Sequence, residues 1–263
     1  MSGTVQAFFI EESGRFVPTE LTRGPWSPVH QHGGPPSALM ARALERVGLG
    51  RDAAQVARLS VEFLRPVPLA PLRLEARVLR PGKKVELAAA SLYANEEEVA
   101  RATALKVRKI GLDLPELDVS GERFEPPSAL ADFVMPFFTG DVGYHTAMQI
   151  RLARGAFGSG RVAGWFRMRH PLLAGEAPSP FQRVAIAADS GNGISAVLDF
   201  SRWLFINPDL TVHLFRHPIG EWVLLDSRTL PDKSGVGLSD TRLYDEQGPI
   251  GSGCQSLLID DRR

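Results

Sequence analysis

Residues 59–65 read LSVEFLR and residues 210–216 read LTVHLFR. Both put Leu, Val and Arg at the same places, and both read as short apolar-rich strands. Working outward from them, residues 59–107 slide onto residues 210–258 without a gap, and ten of the 49 pairs are identical. Average composition gives roughly three matches by chance. The punctuation repeats as well: PGKK at 81–84 falls opposite DKSG at 232–235, and NEEE at 95–98 opposite EQGP at 246–249. The chain carries one unit twice.

Bulk composition limits what that unit can be. With 263 residues, 44% hydrophobic and 23% charged, the chain is long and apolar enough for one large core or two moderate ones. Thirty basic and thirty acidic side chains cancel, so no field across the whole molecule points to nucleic acid or an anionic membrane surface. Cys254 is the only cysteine, and MSGTVQAFFIEES at the start lacks a basic segment followed by a long apolar run, which favours a cytoplasmic protein. No stretch reaches the roughly 20 apolar residues of a membrane span. Of the six histidines only His30 and His32 lie close together, so neither a metal nor any other cofactor is expected.

Each copy reads as an antiparallel meander with a helix ahead of it. LSVEFLR, LRLEARVLR, VELAAASLYA and VARATALKVRK are strand-like runs parted by turn residues. GGPPSALMARALERVG repeats its apolar residues at three- and four-residue spacing between a Gly-Gly-Pro-Pro start and Gly48. Its counterpart is PFQRVAIAADSGNG. A short hairpin precedes each helix, VQAFFIEESGRFVPTE and TAMQIRLARGAFGSGRVAGWFRMRH. The expected class is α+β, with a sheet curled around one apolar helix in each half. GLDLPELDVSGERFEPPS is acidic, aperiodic and proline-rich, giving halves at 1–110 and 129–263 with a linker at 111–128.

These features resemble the tandem, or double, hotdog fold, and the second half resembles acyl-CoA thioesterases of the TesB-like type. The likeness rests on AIAADSGNG, on WLFINPDLTVHLFRHPIGEWVLLDSR, on LYDEQGPIGSGCQSLL and on HGGPPSALMARALE in the first half. It implies hydrolysis of acyl-CoA thioesters in lipid metabolism, with acyl-CoA as the small-molecule partner. An exposed sheet edge on each half makes a homo-oligomer possible. In that family an Asp on the second helix, a Thr or similar residue entering the next long strand and a Gln on the last strand hold the attacking water. Carried over, these fall on Asp189, Asn207 and Gln255, with Thr211 as the reserve for Asn207.

The duplication supplies a separate argument. Under the same shift Gln255 faces Ala104, Asn207 faces Val56, and Asp189 faces Ala38 or one of the next three residues, all apolar. One active site per chain follows. Asp189 is then the general base, the two amides fix the water, and the His32-Gly33-Gly34 turn offers backbone N–H groups to the developing oxyanion. Two other readings stand beside hydrolysis: a non-catalytic acyl-binding module, and a hydratase or dehydratase prompted by INPD at 206–209, where Phe205 and Leu210 replace the Asp and His that chemistry uses.

Overall fold

The computed structural model describes residues 6–50, 52–116 and 118–262. The first half runs β1 (Phe9–Glu12), β2 (Arg15–Pro18), α1 (Gly34–Arg46), β3 (Ala54–Phe63), β4 (Leu72–Arg80), β5 (Val85–Ala94) and β6 (Glu97–Arg108). The second runs α2 (Tyr144–Ala147), β7 (Met148–Arg154), β8 (Arg161–Met168), α3 (Pro180–Ala188), α4 (Gly191–Ile194), β9 (Trp203–Ile206), β10 (Asp209–Leu214), β11 (Val223–Pro231), β12 (Val236–Asp245) and β13 (Gly248–Asp261). β9 is an addition with no counterpart in the repeat; it pairs with the end of β13.

Along the sheet the order is β1-β2-β4-β5-β6-β3-β10-β13-β12-β11-β8-β7. It reads alike from both ends, because β3 and β10 lie side by side at the centre and every strand outward has its equivalent. Over most of their length the registers agree to the residue, the exception being a shift between Val78 and Arg80 that β11 and β12 lack. Leu74 pairs with Leu92 and, 151 positions on, Leu225 with Leu243; Ser60 pairs with Thr103 and Thr211 with Cys254. Even the irregularity between Leu92 and Tyr93 recurs between Leu243 and Tyr244. At the centre Ser60 pairs with Thr211, its own repeat partner, so a pseudo-twofold axis passes between them. The heptads that expose the duplication are the strands that join its two copies.

Each sheet presents small residues to its helix. Along β5 the residues alternate strictly between buried and half-buried, and Ala88, Ala90, Ala102 and Ala104 form a shallow floor under α1. Eleven of the thirteen residues of α1 are buried, and α3 is as apolar. The two helices pack against each other. Ser179 caps α3 by accepting the Gln182 N–H at 3.1 Å, with Pro180 in the first position where a missing N–H costs nothing. The expected free sheet edges are partly occupied. The outer side of β1 bonds to residues 171–174, and β7 receives the Phe133 N–H on the Ile150 carbonyl. No helix among the described residues is long and apolar enough to cross a membrane.

Candidate active site

The start of α1 meets the end of α3. Gly33 is the N-cap of α1 and Asp189 the C-cap of α3, and the approach leaves no room for side chains on the glycines. A Cβ on Gly33 would stand 2.8 and 2.9 Å from the Asp189 carboxyl oxygens; one on Gly34 would stand 2.4 Å from the Ile186 carbonyl. The carboxyl group therefore lies beside the positive end of the α1 dipole.

Both carboxyl oxygens have partners. Asn207 donates through Nδ2 to Oδ1 at 2.8 Å, and the His32 Nδ1 lies 3.1 Å from Oδ2. Gln255 donates to the Asp189 main-chain carbonyl at 3.1 Å and accepts the Asn192 N–H at 3.0 Å, while its Nε2 is 3.5 Å from Oδ1. The amides thus hold the carboxylate and the backbone around it, where the sequence led us to expect them on the water. The His32 ring stacks on Tyr144 at 3.7 Å, with 2° between the planes. Tyr144 is fully buried and fixed in turn, its hydroxyl bonding to the Ile186 carbonyl at 2.9 Å and to Ser190 at 2.8 Å. Burial lowers the His32 pKa below its usual value against the opposing pull of Asp189, and raises that of Tyr144, which stays a neutral phenol.

A cavity of about 90 Å³ opens against this cluster, lined by His32, Gly33, Asp189 and Asn207 on one side and by Trp26, Met135, Phe137 and Phe200 on the other. Phe137 stacks on Phe200 at 3.8 Å, and Trp26 packs on Phe200 at 5.1 Å. A wider cleft shares Trp26 and Phe137 with the cavity and leads outward past Arg23 and Arg262.

Of the residues expected from sequence, Asp189, Asn207, Gln255, His32 and Gly33 come together. Gly34 is adjacent, but its N–H is aimed at the His32 ring, 3.0 Å away. Thr211 is not part of the cluster: Leu210 and Val212 point into the core, so Thr211 projects from the opposite face, 3.3 Å from Ser60. The helix correspondence also differs. Aligned at the N-caps Gly33 and Ser179, Asp189 stands opposite Ala43 rather than Ala38 to Ala41, because strands and helices of the two halves are separated by loops of different length. The aromatic wall and Tyr144 were not foreseen.

One continuous sheet curled around two helices, with β3 and β10 side by side at its centre, defines a double hotdog protein. Family models match on both halves: an acyl-CoA thioesterase N-terminal domain over residues 22–107 and an acyl-CoA thioesterase C-terminal domain over residues 119–259. The chain belongs to the acyl-CoA thioesterase family. Solved structures agree on the fold. A protein described as thioesterase II from Thermobifida fusca superposes with a TM-score of 0.74 at 17% identity, over 97% of this chain and 95% of that one. A hot dog protein from Alicyclobacillus acidocaldarius gives 0.70 at 17%, over 97% and 96%, and TesB2, an acyl-CoA thioesterase II from Mycobacterium marinum, 0.66 at 16%, over 95% and 94%. Among curated proteins there is no significant match.

Proposed function

We propose that the chain hydrolyses acyl-CoA thioesters to free acid and CoA in the cavity beside Asp189. The observation that carries this reading is a buried carboxylate assembled from both halves, its side chain 3% exposed, with an amide and an imidazole on its oxygens and a cavity before it. Burying an ionised carboxyl group is costly unless it is well bonded, and this one receives partners from three separate segments. Its negative charge makes the site basic, and a thioester carbonyl is reactive enough for a positioned water to attack. The Gly33 N–H, at the start of α1, is a donor that this turn offers the oxyanion. The aromatic wall of Trp26, Phe137 and Phe200 suits an apolar acyl group.

The test is a panel of acyl-CoA esters from acetyl to palmitoyl, with CoA release read by a thiol-reactive dye. Turnover of at least one ester is expected. No turnover across the panel, with binding retained, would instead make the chain an acyl-binding module.

A further inference from the structure

The two oxygens of Asp189 are both taken by side chains, and the carboxyl group is 3% exposed where the His32 side chain is 13% exposed. The group in the better position to touch a water in the cavity is the imidazole. We propose that His32 is the general base and Asp189 acts through it: Asp189 accepts the Nδ1–H of His32, which leaves Nε2 as the proton acceptor toward the thioester. This rests on the hydrolytic reading above and changes which atom meets the water.

Two contacts converge on Nδ1, and they exclude one another. Asp189 Oδ2 lies at 3.1 Å and demands a proton on Nδ1; the Gly34 amide nitrogen lies at 3.0 Å and demands a lone pair there. If the lone pair were on Nδ1, it would face a full negative charge in a buried site. If the proton is on Nδ1, it faces only the partial charge of a peptide N–H. A charge-assisted bond is about twice as strong as a neutral one, so the carboxylate sets the tautomer. Tyr144 adds the other constraint, since a ring stacked face to face at 3.7 Å cannot rotate out of line with Asp189. Asp189 and Tyr144 are the titratable groups packed against the imidazole. Burial keeps His32 neutral at neutral pH, the state a base needs.

The step balances without any further reagent. The water oxygen bonds to the carbonyl carbon while one of its protons passes to His32 Nε2. As the tetrahedral intermediate collapses, the C–S bond breaks and that proton goes to the departing sulfur, giving the carboxylic acid, CoA thiol and neutral His32.

His32→Gln, which keeps a polar side chain of similar reach, is expected to lower kcat by about 10²-fold or more with KM little changed. In the parent enzyme the acid limb of kcat/KM should lie below pH 6.5, and the same limb should vanish in the residual activity of the variant. If His32→Gln works at near-parental rate while Asp189→Asn does not, the carboxylate meets the water itself; the inference fails and the hydrolytic reading stands. A parent protein inactive on every ester removes both. The imidazole ¹⁵N shifts of His32 in the intact protein test the point without turnover: a protonated Nδ1 and a bare Nε2 are expected, and the reverse tautomer overturns the proposal even where a variant fails to fold.

Discussion

At one end of the α1–α3 pair Asp189 sits against the start of α1; at the other, Glu45 sits against the start of α3 with Oε2 accepting Ser179 Oγ at 2.7 Å and Gln182 Nε2 at 3.1 Å. Both acids are buried, and a hollow lies beside each. What differs is the company. The sequence positions that give Asn207 and Gln255 at the first end give, 151 residues earlier, Val56 and Ala104, both buried and apolar. Glu45 accepts from Ser179 and Gln182 on the first turn of α3, whereas Asp189 has an imidazole beside it. The buried acid at the first junction, with an imidazole beside it and a cavity before it, is the one the hydrolytic reading makes a chemical group, while Glu45 ties the start of α3 to α1.

The sharpest way to break that comparison is to neutralise each acid in turn. Asp189→Asn should cut kcat/KM by 10²-fold or more, about 2.7 kcal/mol of transition-state stabilisation, with a melting curve close to the parent's. Glu45→Gln should leave the rate within about twofold, since it touches nothing that reacts. Steady-state kinetics on one acyl-CoA decides, and equal losses at both ends would mean that each carboxylate serves folding alone.

Next in size is Gly34→Ala. The added methyl would stand 2.4 Å from the Ile186 carbonyl, a backbone atom that cannot swing aside, so the helices must part. A loss of about 1–3 kcal/mol in urea unfolding is expected, as for other overpacked contacts. Unchanged stability would show that the close approach is not needed. Glu45→Ala follows: it strips two donors, Ser179 and Gln182, of a buried acceptor, which costs about 1–3 kcal/mol of stability while the rate per folded molecule holds.

How far these features could be read in the sequence depends on what fixes them. The sheet was legible because strand register is a property of spacing, and a constant offset of 151 positions carries most of each long ladder of the first half onto the second. Asp189, Asn207 and Gln255 were legible through the family resemblance and because each is polar where its counterpart in the other copy is apolar. Trp26, Phe137 and Phe200 were not: they stand in loops without periodicity, and only the packing of the two halves brings them to one wall. Tyr144 lies on a single turn of helix whose place under His32 is likewise a tertiary fact. Thr211 could have been excluded earlier, since LTVHL alternates and a residue between Leu210 and Val212 belongs to the other face.

That parity yields the smallest expected effect and the finest test of the pseudo-twofold axis. Thr211→Val keeps shape and β-branching and removes one partner of the 3.3 Å hydroxyl contact with Ser60. The contact is long, and the hydroxyls are half-buried rather than sealed from water, so the change should cost no more than about 0.5–1 kcal/mol in urea unfolding. Activity should not move at all, because the side chain leaves the sheet on the face away from Asp189. Ser60→Ala, the mirror substitution, should cost a similar amount, and the double variant less than the sum of the two. A tenfold drop in kcat for Thr211→Val with stability intact would instead tie the centre of the sheet to the chemistry, and the division between a fastening axis and a reacting helix junction would have to be redrawn.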